Sequence, residues 1–127
     1  MSYYIAKTVS GAFDAVIERV TEALKKEGFG VLTDIDVAAT MKKKLDVDFR
    51  PYRILGACNP KMAHQALTLE DKIGVMLPCN VIVQQTDKGV EVAAVDPQAS
   101  LGRVGNPALD EAAATVKAAL TRVVNAL

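Results

Sequence analysis

Hydrophobic residues follow a helical repeat in two long segments of this chain, one near each end. In the first segment apolar side chains recur every three or four positions, with charged residues on the other face. Those apolar positions are Phe13, Val16, Ile17, Val20 and Leu24. Gly28 follows where a helix end favours a left-handed residue. The second segment has a similar stripe after an asparagine–proline start, so the pattern predicts helices over residues 11–27 and 107–126.

Between these helices, runs of β-branched and aromatic residues predict strands. The predicted strands cover residues 3–9, 30–35, 49–57, 73–85 and 90–95. Residues 86–89 have the composition of a hairpin turn between the last two strands. Pro51 and Pro78 lack a backbone N–H. This indicates an edge or an irregular strand entry at Pro51, and a bulge, a bend or an edge position at Pro78. Residues 98–105 contain two glycines and are predicted to form a loop.

Two short helices are predicted between the strands. Asp36 is suited to cap the first of them. Asn59 and Pro60 are a cap and first-turn pair for the second, whose inward positions are Ala63, Ala66 and Leu67. The order of elements and the terminal hairpin predict an α+β fold. We expect a single domain over residues 1–127, with the two long helices on one face of a mostly antiparallel sheet.

The charge balance argues against nucleic acid as a partner. Fifteen basic residues oppose fifteen acidic ones, so the formal net charge is zero and the long-range attraction for a phosphate backbone is missing. The first residues resemble no secretory signal, and no apolar run approaches the length of a membrane span. We therefore expect a cytoplasmic protein with no membrane partner, in which cysteines stay reduced.

The candidate chemistry lies in two short blocks that resemble each other. Cys58-Asn59 precedes a proline, and Cys79-Asn80 follows one; these are the only two cysteines. Cys58 stands just before a predicted helix N-terminus, a position that stabilises a thiolate. The alternative is that both cysteines are small apolar residues of the core. Asn80 lies within an apolar run, where a buried amide needs hydrogen-bond partners. Its side chain either bonds to the backbone group that Pro78 leaves without a partner, or faces a ligand.

His64 is the only histidine and is a third candidate for this site, as a proton acceptor or metal ligand. A lone histidine on a short helix is more often simply exposed or packed. The two cysteines are 21 residues apart, unlike the paired knuckles of zinc sites, so we assign no metal. The sequence identifies no cofactor and no serine triad, and it leaves open whether the protein is an enzyme.

The two cysteine blocks also carry a resemblance to a known family. Residues 52–60 (Tyr-Arg-Ile-Leu-Gly-Ala-Cys-Asn-Pro) and 73–81 (Ile-Gly-Val-Met-Leu-Pro-Cys-Asn-Val) are similar to the family called domain of unknown function 302. The resemblance implies a fold like that of the TATA-binding protein, with an antiparallel sheet and two long helices. It also implies homodimers, and it carries over Cys58 and Cys79 as the two marked positions. It supplies no reaction.

Two functional hypotheses remain from the sequence. In the first, Cys58, Asn59, Cys79 and Asn80, with His64 as a candidate, line one site for small-molecule binding or thiol-based redox chemistry. In the second, the chain is a non-catalytic homodimeric interaction module in which both cysteines are structural. The first hypothesis requires the two blocks to lie close together in space.

Overall fold

A computed structural model describes residues 2–127 as a five-stranded sheet with helices packed against it. The strands are β1 (Tyr4–Val9), β2 (Gly30–Asp36), β3 (Tyr52–Cys58), β4 (Cys79–Thr86) and β5 (Gly89–Val95). The α-helices are α1 (Phe13–Lys26), α2 (Val37–Leu45), α3 (Pro60–Leu69), α4 (Pro97–Gly102) and α5 (Asp110–Asn125). Two 3₁₀ segments, Asp71–Met76 and Pro107–Leu109, precede β4 and α5. None of the helices described is both long enough and apolar enough to cross a bilayer.

The sheet has the strand order β1-β5-β4-β3-β2, and every neighbouring pair is antiparallel. The predicted α+β fold with a mostly antiparallel sheet is therefore confirmed. Of the alternatives predicted for Pro51 and Pro78, the sheet edge is wrong, because both residues precede inner strands, β3 and β4. Each proline stands just outside its strand, so the sheet loses no donor N–H.

The main hydrophobic core lies between one face of the sheet and the two long helices. Alternate residues of the inner strands point to this face, as the period of two in a strand requires. Helices α1 and α5 cover them with the apolar stripes expected from the sequence. The core includes Val20 and Leu24 of α1, Leu55 of β3, Val81 and Val83 of β4, Val92 of β5, and Leu120 and Val123 of α5.

A second, smaller cluster lies under the connections between β3, β4 and α5. It contains Ala66 of α3, Ile73 of the first 3₁₀ segment, Leu101 of α4, and Leu109 and Ala113. Residues 73–76 were expected to be part of a long strand, but they form 3₁₀ structure and the strand begins only at Cys79. Because Pro78 cannot donate to the ladder, the chain folds as a strand only after it.

The predicted loop over residues 98–105 is also partly wrong, because helix α4 begins at Pro97. The carboxylate of Asp96 caps this helix by accepting a hydrogen bond from the Gln98 N–H at 2.9 Å, and it pairs with Lys117 Nζ at 3.0 Å. Burial opposes ionisation of Asp96, but the Lys117 ammonium and the backbone N–H groups outweigh it and lower the pKa of Asp96. The aspartate–proline pair starts a helix here rather than only ending a strand.

Gly56 of β3 leaves room for close contacts with Pro78, just before β4, and with Thr33 of β2. A Cβ atom placed on Gly56 would lie 2.7 Å from Pro78 Cγ, and it would also overlap the hydroxyl of Thr33 on β2. Gly56 pairs with Asn80, and the next residue, Ala57, pairs with Cys79. The glycine of the first cysteine block thus makes room for the proline of the second.

Gly56→Ala should destabilise the protein by about 1–3 kcal/mol, because the added methyl group overpacks the contact between Pro78 and Thr33. Gly30→Ala is the matched control, since it adds the same methyl group to a strand glycine with no neighbouring atom within 4 Å. Urea unfolding of both variants measures the difference. Equal midpoints for Gly56→Ala and wild type would contradict this account of the contact.

Candidate functional site

The two cysteine blocks meet at one end of the inner strands. Cys58 is the last residue of β3 and lies opposite Gly30 of β2, whereas Cys79 is the first residue of β4 and lies opposite Ala57. Both cysteines are half-buried free thiols. Antiparallel pairing of β3 with β4 brings the two positions together although they are distant in sequence.

Beyond this end of the sheet lies an apolar cavity of about 330 Å³. It sits between the two hydrophobic clusters and is walled by α3, the first 3₁₀ segment, the start of β4, and residues of α4 and α5. Phe29, Met62, Leu101 and Val116 contribute large apolar side chains to the wall. Among the described residues 2–127, no charged side chain lines it.

Small residues on the facing helices account for the open space. Helix α3 contributes Ala63 and Ala66, and α5 contributes Ala112. The inward stripe predicted for α3 therefore faces a cavity as well as a packed core. An alanine side chain ends at Cβ, so these helix faces cannot fill the gap that the backbones leave. Leu32 and Leu67 also line the cavity and are partly exposed to solvent, which places them at its rim.

Asn59 fixes the start of α3 beside the cavity. Its side-chain Oδ1 accepts a hydrogen bond from the Met62 N–H at 3.3 Å, and Pro60 occupies the first turn. The predicted cap and first-turn pair is thus confirmed. The amide of Asn59 also lies against the backbone at Gly28, where an added Cβ would be 3.1 Å from Nδ2. These contacts fix the first turn of α3 against the end of β3. Cys58 and Met62 therefore lie on the same wall of the cavity.

Cys79 is in an environment that keeps its thiol neutral. Its side chain packs against the main core. Burial, together with a smaller repulsion from Cys58, raises the pKa of Cys79 to about 11. A thiol with this pKa is almost entirely protonated at neutral pH and is a poor nucleophile. The repulsion from Cys58 also means that the two sulfur groups act on each other electrostatically.

The structure does not bring His64 and Asn80 to the cavity. His64 is exposed on α3, where its backbone carbonyl accepts a hydrogen bond from Thr68. Asn80 pairs with Gly56, so by alternation it points away from Cys79, toward the sheet face that α1 and α5 leave open. There it lines a second pocket, of about 430 Å³, that includes Tyr4 and Tyr52. Of the sequence candidates, the cavity collects Cys58, Asn59 and Cys79.

Within residues 2–127, no group of three or more histidine, cysteine, aspartate or glutamate side chains is arranged to hold a metal ion. Several cavity residues were not anticipated as site residues, chiefly Met62, Phe29, Leu101 and Ala112. Of these four residues, only Met62 could have been identified from the sequence, because it lies one helical turn after Cys58. The others are contributed by segments whose proximity depends on the tertiary fold.

The comparisons with known proteins agree with the architecture. The profile of the family described as "Domain of unknown function DUF302" matches residues 5–127. A crystal structure described as that of an uncharacterised conserved DUF302 protein from Bacillus stearothermophilus is similar, with 32% sequence identity and a TM-score of 0.92. The similarity covers 98% of this chain and 98% of that one. No curated protein matched the chain.

The family match covers nearly the whole sequence, and it includes both cysteine blocks, the sheet and the two long helices. The resemblance noted from residues 52–60 and 73–81 is therefore confirmed. This chain belongs to the DUF302 family of domains of unknown function.

Proposed function

We propose that this protein binds a neutral, largely apolar small molecule in the cavity between α3, α5 and the end of the sheet. The observation that carries the proposal is the cavity itself: about 330 Å³ of space lined by uncharged residues. Cavities of roughly 300–1,000 Å³ with mainly apolar walls and a few polar groups are typical of small-molecule sites.

The lining defines the chemistry of the ligand. A carboxylate or phosphate would have to leave water without a cationic partner, because no lining side chain in the described part of the chain carries a charge. The polar side chains that line the cavity are the amide of Asn59 and the two thiols, and Asn59 Oδ1 is already engaged in capping α3. We therefore infer a hydrocarbon-like or aromatic ligand with at most one or two hydrogen-bonding atoms.

Binding fits this site better than thiol-based catalysis or redox chemistry. The raised pKa keeps the thiol of Cys79 protonated at neutral pH. His64, the candidate base, is not among the residues that line the cavity. A nucleophilic cysteine needs a thiolate or a nearby base. The proposed cellular setting is the cytoplasm, where two half-buried thiols remain reduced.

Ala112→Leu should weaken binding of the neutral fluorescent probe N-phenyl-1-naphthylamine by about tenfold or more, a loss of roughly 1.4 kcal/mol. The added isobutyl group occupies the space that the probe needs. Ala114→Leu is the matched control, because Ala114 lies on the same helix and is exposed. Probe fluorescence titrations, with thermal melts to confirm folding, measure the effect. Equal weakening in both variants, or no probe binding to the wild type, would refute the proposed site.

A homodimer formed through β2 is the second proposed property. Strand β2 is an edge of the sheet, and it exposes apolar side chains such as Leu32 (69% exposed) and Ile35 (48% exposed). Phe49 and Val47, in the segment before β3, add further exposed apolar surface. An open edge with apolar side chains is usually covered or paired. A second copy is the simplest occupant, because two antiparallel β2 strands related by a two-fold axis would present matching donors and acceptors.

Ile35→Lys should convert the dimer to a monomer at tens of micromolar protein, since the pairing would place two like charges close together in the interface. Ala114→Lys adds the same charge on an exposed face of α5 and should leave the dimer intact. Sedimentation velocity distinguishes the species. A monomeric wild type, or a dimer that is unaffected by Ile35→Lys, would exclude this interface.

A further inference from the structure

The second pocket, on the sheet face that α1 and α5 leave open, has a character different from that of the apolar cavity. Its floor contains Ile82 of β4 and Ala93 of β5, which alternate with the core residues of those strands. Among residues 2–127, none lines both the pocket and the cavity. Three tyrosines and one carboxylate contribute to its wall. The pocket is therefore a separate candidate site.

Strand register places three side chains of this pocket in one row across the sheet. Tyr52 of β3 pairs with Gln84 of β4, and Gln84 pairs with Glu91 of β5. Directly paired residues on one face have Cβ atoms about 4.5–5.5 Å apart, so the three side chains are neighbours. Gln84 Nε2 donates a hydrogen bond to Glu91 Oε1 at 2.7 Å. The row thus brings an aromatic ring, an amide and a carboxylate together.

Glu91 carries a negative charge without a basic partner from the same chain. It is half-buried and is the only charged residue that lines the pocket within residues 2–127. No lysine or arginine in that part of the chain forms an ion pair with it. The guanidinium of Arg50 instead donates to Gln84 Oε1 at 2.9 Å and lies 4.5 Å from the ring centre of Phe49. A pocket with one uncompensated carboxylate attracts cations.

Aromatic rings stand at both ends of the pocket. Tyr52 belongs to the row that contains Glu91, whereas Tyr3 and Tyr4 lie at the other end, with ring centres 5.1 Å apart. Tyr4 pairs with Val95, four residues beyond Glu91 on β5, so the two ends are about 13 Å apart along the strand. Tyrosine rings attract organic cations through their faces and pack against apolar groups. The pocket is therefore elongated, with its charge at one end.

We propose that this open face binds an organic ammonium cation that carries an apolar body. The ammonium group lies between the Glu91 carboxylate and the Tyr52 ring, and the body extends over Ile82 and Ala93 toward Tyr4. Quaternary ammonium groups are recognised in this way by aromatic side chains. An anionic ligand in the same position would meet the like charge of the carboxylate, which opposes its binding.

The site also gives Asn80 a ligand-facing role. Asn80 lies two residues before Ile82, on the same face of β4, and it lines the pocket. Its side chain is exposed. The amide can donate to, or accept from, one polar group on the body of the ligand. A ligand with such a group should bind more tightly than a purely hydrocarbon ammonium.

The location of the site is tested by methyl-resolved NMR of the wild-type protein with two probes of the same shape. Phenyltrimethylammonium should shift the methyl signals of Ile82 and Ala93 and leave those of Met62 and Ala112, in the cavity wall, unchanged. Its neutral isostere, tert-butylbenzene, should do the reverse. Cation shifts at the cavity, or at neither place, would reject the open-face site. Cation shifts at Ile82 and Ala93, with no cavity shifts from tert-butylbenzene, would count against the apolar cavity alone.

The chemistry of the site is tested by charge variants in the same titration. Glu91→Gln keeps the shape of the side chain and should weaken binding of phenyltrimethylammonium about fivefold. Arg50→Gln removes a nearby like charge and should strengthen it about twofold. Glu18→Gln, on the exposed side of α1, makes the same change as Glu91→Gln and should bind like wild type. Equal affinities for the two glutamate variants, or weaker binding by Arg50→Gln, would overturn the proposal.

Discussion

The contact between Gly56 and Pro78 is the constraint on which the rest of the site depends. It lies between β3 and the start of β4, where the cysteine blocks meet, and only a residue without a side chain leaves room for the proline ring and the Thr33 hydroxyl together. With that contact in place, Ala57 pairs with Cys79, Cys58 ends β3, and Asn59 starts α3. The two blocks, which resemble each other along the sequence, form the two sides of one junction.

The cavity follows from where this junction lies. It stands between a main core under the sheet and a second cluster around Ile73 and Leu101, and the helices that close the gap present alanines toward it. Protein interiors are usually packed to the density of organic crystals. The space of about 330 Å³ at the seam of the two clusters, with its uncharged and mainly apolar wall, is the basis of the proposed function.

Much of the fold could be predicted because it rests on local patterns. The apolar stripes of α1 and α5, the hairpin between β4 and β5, and the cap at Asn59 each depend on residues close together in the sequence. The errors occurred where the same short sequence pattern is compatible with more than one local structure. Pro78 indicated a bulge, a bend or an edge, and it stands just before an inner strand. Residues 98–105 indicated a loop, although Asp96 caps a helix at the start of that segment.

The candidate site could be predicted only in part. Cys58, Asn59 and Cys79 were identifiable from their unusual blocks. His64 was a candidate as the only histidine, and Asn80 as a polar amide within an apolar run. Strand alternation turns Asn80 to the opposite face, and α3 leaves His64 exposed. The contributions of Phe29, Leu101 and Ala112 depend on long-range packing, and no periodicity in the sequence encodes which helix faces a cavity.

The most direct test of the central claim is methyl-resolved NMR of the wild-type protein titrated with N-phenyl-1-naphthylamine. If the cavity is a ligand site, the largest shift changes should fall on methyl groups of its wall, such as those of Met62, Ala63 and Ala112. The exposed methyl groups of Ala114 and Val75 should remain unchanged. Shift changes concentrated at the exposed β2 edge, with the cavity methyl groups unaffected, would contradict the account.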